Sequence, residues 1–347
     1  MALSSVVQVT IEMCENFGSE LRISVIVPTR NRRVLLKELI DSFALQTLNP
    51  RHFEMIVVDN CSDDGTAEMM RGLAAGLPFR LRYCRSEKNL GQIHSRNTGA
   101  RLAQADLVAF TDSDCRVTPR WLETVLDAFT AEDVGFVTGP VRNKPEQPVT
   151  FFSLATFENT GENITYPACN IVYRKKIFWE SGGFDESAWP GDLGDKSFGD
   201  SDTDLAWKVK ELGYRSAYSE GALVYHQVWQ LTVPKWFKAH LMAWRVPSVV
   251  KKSPAVRRLV WWGPFLFFDN VLFYLAALGL LLALLGNRWW LMLILPHLWR
   301  MFRIPGRRFS LTALPRIIGR VVFLSLRQAT ICAALIYGSW RARTILL

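Results

Sequence analysis

The chain has 347 residues, 49% hydrophobic and 21% charged, with a formal net charge of +9. That apolar content excludes a disordered chain, and the length suits one large domain or two ordinary ones. Its six cysteines, Cys14, Cys61, Cys84, Cys115, Cys169 and Cys332, are scattered and form no C-x-x-C pair, which argues against a disulfide scaffold and a structural zinc site.

Residues 1–21 carry no basic n-region and no sustained apolar stretch, and they include Glu12, Glu15 and Glu20. They read as an N-terminal extension rather than a secretory signal, so the first large domain is expected in the cytosol with reduced cysteines. Residues 23–27 read as a buried strand ended by Pro28. Val34, Leu35, Leu39, Ile40 and Phe43 then recur at helical spacing. Residues 55–58 are a second strand ending at Asp59, 67–73 a helix, 79–84 a third strand and 93–105 a third helix. A fourth strand, 107–110, ends at Thr111-Asp112-Ser113-Asp114, and a helix over 119–129 follows with Pro119 in its first turn. Strands alternating with helices predict βαβ units and an α/β fold with a mostly parallel, Rossmann-like sheet. Open α/β sheets bind ligands at the carboxyl ends of their strands. The polar clusters fall there: Thr29-Arg30-Asn31, Asp59-Asn60, Asn89 and Asp112/Asp114.

The tail reads differently. Residues 231–347 hold 17 Lys+Arg against the single acid Asp269, whereas residues 1–230 hold 24 against 31 acids. Eight of the thirteen tryptophans lie in that second part. Residues 265–285 carry one charge, Asp269, and as a helix reach about 31 Å, enough to cross a hydrocarbon core. Residues 289–299 suit a short second leg or a re-entrant helix. Residues 317–338 are apolar again but carry Arg320 and Arg327, so they either span or lie in the interface. Tryptophans 261, 262, 289, 290, 299 and 340 cluster at the ends of these runs like an interfacial belt. Lys251, Lys252, Arg257 and Arg258 precede the first run, and Arg300, Arg303, Arg307 and Arg308 follow the second. Positive-inside logic makes the pair a hairpin with both flanks cytosolic. A nucleic-acid partner is the competing explanation of the charge, but the cations flank apolar runs and do not line one helical face.

Four clusters can carry chemistry. Two carboxylates at Asp112 and Asp114 on a strand-end loop suit a hard divalent cation shared with substrate phosphates, or else only a turn and a cap. Asp59 follows a buried strand, where an acid can hydrogen-bond a ribose or base; Asp64-Gly65-Thr66 reads as a turn and cap. Asn89-Leu90-Gly91 precedes a helix whose Arg96 suits bidentate contact with a diphosphate. Asp200, Asp202 and Asp204 crowd the start of a helix running through Leu212, and crowded carboxylates can serve as general bases.

Taken together these residues resemble the family 2 glycosyltransferases of the GT-A fold. The matching pieces are Val25-Ile26-Val27-Pro28-Thr29-Arg30-Asn31-Arg32, Ile56-Val57-Val58-Asp59-Asn60-Cys61-Ser62-Asp63-Asp64-Gly65-Thr66, Asn89-Leu90-Gly91 with Arg96-Asn97, Phe110-Thr111-Asp112-Ser113-Asp114, and Gly182-Gly183-Phe184-Asp185-Glu186 with Asp202-Thr203-Asp204-Leu205. They occur in family order over about 22–230. The resemblance implies a metal-dependent, inverting transfer from a nucleotide-diphosphate sugar, with a UDP-sugar favoured, to a hydroxyl of a lipid-linked or surface-polysaccharide acceptor. It implies nucleotide contacts from Pro28, Thr29, Arg30, Asp59, Asn89, Arg96 and Asp112. Asp114 would hold Mn²⁺ or Mg²⁺, with His226 beside it. Asp202 matches the catalytic base, with Asp200 its rival because Ser201 stands where the family usually has Glu. Asn170 and Trp189 would face the acceptor, Trp189 from a lid-like loop over 187–197. The expected organisation is an extension over 1–21, a catalytic domain over 22–230, an interfacial amphipathic linker over 231–262 and a membrane-associated helical region over 263–347. That places the protein at the cytoplasmic membrane with its catalytic domain facing the cytosol. A polyprenyl phosphate acceptor and a catalytically silent nucleotide-sugar-binding subunit are the alternatives.

Overall fold

The sheet begins earlier than expected. Val7–Met13 (β1) pairs antiparallel with Arg80–Ser86 (β4), with an irregularity between Val9 and Ile11. A boundary after residue 21 would therefore cut one sheet; the alternation in VQVTIEM is the strand signal that reading passed over. These elements belong to a computed structural model that describes every residue except 1–6, 14–19, 74–75, 157, 160, 163–164, 187–200, 253–256, 258–262, 266 and 303–313. The chain divides into two compact units, Met1–Gln230 and Leu231–Leu347.

In the first unit, Ile23–Thr29 (β2) and Phe53–Asp59 (β3) are buried throughout. Their near-continuous apolar runs suit strands covered on both faces. Alternation sends Ile23, Val25, Val27, Met55 and Val57 to one side, where Arg33–Ala44 (α1) contributes Leu36, Leu39 and Ile40. Thr66–Leu73 (α2) adds Met70 there. It sends Ile26, Ile56 and Val58 to the other side, against Ile93 and Ala100 of Gln92–Leu102 (α3). The approach of α3 is so close that a Cβ on Gly99 would strike the Ile26 side chain.

Leu107–Phe110 (β5) completes the parallel set β4-β3-β2-β5. Pro28 pairs with Val58 but lies beyond Ile26, the last residue of β2 paired with β5. A missing N–H is tolerated at such a ladder end. Cys115–Val117 (β6), Trp121–Asp127 (α4), Val134–Thr138 (β7), Val141–Asn143 (β8) and Ser153–Leu154 (β9) follow. Then come Ile171–Arg174 (β10), Lys175–Glu180 (α5), Ser201–Glu211 (α6), Arg215–Tyr218 (β11), Val224–His226 (β12) and Trp229–Gln230 (β13). The main sheet runs β1-β4-β3-β2-β5-β10-β7-β11. β10 lies antiparallel to both β5 and β7, while β11 lies parallel to β7. A small second sheet, β6-β12-β8, stands beside it.

The second unit is helical: Val233–Leu241 (α7), Val246–Lys252 (α8), Phe268–Leu284 (α9), Leu295–Phe302 (α10) and Leu314–Ala342 (α11). The span expected at 265–285 is corrected here. The helix α9 has 17 residues, about 26 Å, which falls short of a hydrocarbon core of about 30 Å. It is short because Phe267 is extended and Gly286, at φ +125°, breaks its end. The 3₁₀ turn Arg288–Ile294 then folds back so closely that a Cβ on Gly279 would meet the Trp290 carbonyl at 2.6 Å. Among the described residues the helix long and apolar enough to cross a membrane is instead Ile318–Ala342, the larger part of α11. Polar pairs join these helices: buried Gln328 donates to buried Asn270 at 2.6 Å, and His297 lies 3.1 Å from the half-buried Ser325. Arg258, Arg303, Arg307, Arg308, Trp261 and Trp262 lie outside the described residues.

Candidate active site

The loops after β2 and β3 are built from each other. Asn31, at φ +51°, accepts from the Asp63 amide at 2.9 Å and donates its own amide to Ser62 at 2.9 Å. Asp64 accepts from the Arg33 amide at 2.9 Å and the Thr66 amide at 3.2 Å, so it starts both α1 and α2. Burial pushes its carboxyl up, but bonds from Thr66 and the Arg33 amide outweigh that and leave it below its ordinary value.

Asp59 is fully buried, and its oxygens accept from the Ser62 amide at 2.9 Å and the Tyr83 hydroxyl at 2.5 Å. It braces the loop from beneath rather than facing outward. Beside it, Asn60 donates to Asn89 at 2.6 Å and accepts from the Leu90 amide at 2.8 Å. Thr29 Oγ1 is buried without a hydrogen-bond partner, and Arg30 is exposed at the end of β2.

Arg96, on α3, is 3% exposed. It donates to Asp112 at 2.7 Å and to Asp202 at 3.2 Å, and Asp112 also accepts from Gln92 at 2.9 Å. Burial pushes the guanidinium down, but Asp202 and Asp112 outweigh it and hold Arg96 above its ordinary value. Burial likewise pushes Asp112 up, and Arg96 with His226 brings it below the usual carboxylate range. Arg96, for which the resemblance implies a diphosphate contact, here joins two carboxylates that lie 90 positions apart in the chain. Asp202, at the start of α6, also accepts from the Ala168 amide at 3.0 Å.

Asp114 is 2% exposed, and its Oδ2 accepts from Arg32 at 2.9 Å and from the Trp229 indole at 3.1 Å. Its Oδ1 is buried with no hydrogen-bond partner and lies 3.7 Å from His226 Nε2. Antiparallel pairing of β6 with β12 sets His226 opposite Cys115, next to Asp114. His226 Nδ1 lies 2.9 Å from the Gln227 carbonyl, which can only accept, so Nδ1 carries the proton. In the neutral ring Nε2 is then an acceptor 3.7 Å from the orphaned Oδ1. Two acceptors facing one another fit a cation held between them. Burial pushes the imidazole pKa down, and Cys115, Asp114 and Asp112 outweigh it and raise it. Among the described residues, Asp114, Cys115 and His226 bring one ligand atom each within 4.8 Å of one another. Cys115 is a core side chain in the same cluster as Trp121 and Val172, and burial raises its thiol well above the ordinary range.

Asn170 is corrected. It is 2% exposed, accepts from Trp121 at 3.0 Å, and donates to the Pro140 and Ala222 carbonyls at 3.0 and 2.8 Å. With that bonding filled inside the core, it ties α4 to the segments just before β8 and β12. Asp200, Trp189 and the loop 187–197 lie outside the described residues. Sequence reasoning assigned no role to Arg32, Trp229 or Gln92. Arg32 stood in a quoted motif, but its partners lie 82 and 197 positions away, and no local pattern announces them.

The fold and this strand-end cluster of acids define an α/β protein of the GT-A type. Residues 24–184 match the model of glycosyl transferase family 2. It is 30% identical over 219 residues to the pre-mycofactocin glycosyltransferase of Mycobacterium tuberculosis, a match covering 59% of this chain and 42% of that protein. It is 29% identical over 227 residues to the glucosyl-dolichyl phosphate glucuronosyltransferase of Haloferax volcanii, covering 60% of this chain and 70% of that one. Among solved structures, the mannosyltransferase PcManGT from Pyrobaculum calidifontis, in complex with GDP-Man and Mn²⁺, superposes with a TM-score of 0.56. That match has 19% identity over 95% of this chain and 89% of the other, and shows the shared fold.

Proposed function

We propose that the chain is a glycosyltransferase that moves a sugar, with inversion, from a nucleoside-diphosphate sugar to a hydroxyl of a lipid-linked or surface-glycan acceptor. The observation that carries this reading is the Arg96 bridge, which sets Asp202 beside the Asp112–Asp114 loop. Asp202 takes the proton of the acceptor hydroxyl as that oxygen bonds to the anomeric carbon. The bond from that carbon to the phosphate oxygen breaks on the opposite face, and the nucleoside diphosphate leaves with the electron pair. Asp112 and Thr29 face the nucleoside side. Asp114 and His226 would hold Mn²⁺ or Mg²⁺, which when bound supplies positive charge to the leaving diphosphate. UDP is the first nucleotide to try.

The second unit supports a lipid-linked acceptor and a place at the cytoplasmic membrane, with the first unit on the cytosolic side. Its exposed residues include Leu284, Leu285, Trp289, Trp299 and Trp340, and α11 is long enough to span. The test is calorimetric binding of UDP, GDP, dTDP and CMP to detergent-purified protein, with Mn²⁺ and with chelator. Metal-dependent binding of one nucleotide that is lost in Asp114→Ala is the expected result. No binding by folded protein would overturn the reading. Turnover that survives Asp202→Asn on a polyprenyl phosphate would point to an acceptor that is already an anion and needs no base.

A further inference from the structure

The two basic groups that balance the acids of this site differ in kind. Arg96 is 3% exposed and fixed between two carboxylates. Arg32 has a side chain 36% exposed, yet it balances Asp114, which is 2% exposed. Its guanidinium lies 5.1 Å from the centroid of the Trp229 ring, and the Trp229 indole donates to the same Asp114 oxygen that Arg32 holds. The other oxygen of Asp114 is left bare toward His226. A divalent cation taken up there would sit within a few ångströms of the Arg32 charge, and like charges at that range repel.

We propose that Arg32 is a resident countercharge that makes divalent-cation binding conditional on the nucleotide's diphosphate. This rests on the metal and diphosphate site proposed above. Without nucleotide, Arg32 satisfies Asp114 and disfavours a second cation. When the diphosphate arrives, it offers oxygens matched to the guanidinium fork. Arg32 then moves from carboxylate to phosphate across the face of Trp229, and Asp114 is released to the metal. The two ligands therefore help one another bind, and linkage makes the help reciprocal.

The experiment is a Mn²⁺ titration of the full chain in detergent, read from the electron paramagnetic resonance of free Mn²⁺. It is run alone, with UDP and with GDP. The wild type is expected to bind Mn²⁺ weakly alone and much more tightly with one nucleotide. Arg32→Gln should bind Mn²⁺ alone on the order of tenfold more tightly and lose most of the nucleotide's enhancement. Arg32→Lys, which keeps the charge but not the fork, should keep the weak binding alone and lose part of the enhancement. Unchanged or weaker Mn²⁺ binding by Arg32→Gln, with nucleotide binding intact, overturns the countercharge alone and leaves the transferase reading standing. Binding of neither ion nor nucleotide by any variant, each shown to be folded by its melting curve, overturns both.

Discussion

The two units treat apolar surface in opposite ways. In the first, β2 and β3 bury every residue and both faces of the sheet are covered. Among the described residues its large exposed hydrophobics are Val34, Leu45, Val149 and Leu212, and all the others lie in the second unit. There the exposed side chains of α9, the 3₁₀ turn and α11 include many large apolar ones, such as Leu281, Leu284, Trp289, Val322 and Trp340, while Asn270 and Gln328 are buried. The first unit thus keeps its large apolar side chains inside, and the proposed function sets an anionic ligand at one edge of it. The second turns much of its apolar surface out and keeps Asn270 and Gln328 in, the arrangement a lipid solvent would favour under the proposed function.

The sharpest test separates chemistry from membrane attachment. Asp202→Asn should lower transfer to a hydroxyl acceptor by about 10²- to 10⁴-fold and leave membrane retention unchanged, read by turnover assay and by sedimentation after an alkaline wash. Next, the pair Val322→Asp and Leu326→Asp on α11 should cost about 3 kcal/mol each toward insertion and release the chain in that wash. The same change at exposed Val34 and Leu45 should move stability by no more than about 0.5 kcal/mol each. If both pairs behaved alike, the contrast between the units would be broken.

A third variant probes the closed packing of the first unit. Gly99→Ala drives a methyl into Ile26 and should destabilise that unit by about 1–3 kcal/mol, read by urea denaturation. The smallest effect concerns acid. The bond from His94 holds Glu186 at about 2, against an ordinary value of 4.5, with burial opposing it and Asn97 assisting. A depressed carboxyl stabilises fully above its ordinary value, and this support is lost as pH falls from about 4.5 toward 2. The partly exposed Glu186 makes the effect modest. Glu186→Gln should flatten that acid limb by lowering the melting temperature modestly at neutral pH, with little change from the wild type below about pH 2.

The parallel half of the sheet was legible because β2, β3 and β4 are each followed by their own helix, so periodicity switches locally. β10 was not: four residues long, it enters between β5 and β7 in the opposite direction, and only its distant partners fix that place. The site divides the same way. Asp112 and Asp114 are announced by a strand end. Arg96 and Asp202 entered as separate expectations, and that they meet is set by tertiary packing. His226 reached Asp114 through a ladder register that no local pattern encodes. On α9 the apolar count was right and the length was wrong, because hydropathy does not see where Phe267 and Gly286 end the helix.

Asp64 has one more consequence. A single carboxylate starts α1 and α2 together, and Asn31 and Ser62 stitch the two loops across the gap. Where the proposed function puts the nucleotide, the rim is therefore set before any ligand arrives. A ligand closing on it gives up little loop entropy, since the ordering was done when the chain folded. Affinity at this edge is then governed by which groups the rim presents, and selection among nucleotides by rigid complementarity rather than by a loop reshaping itself around each one.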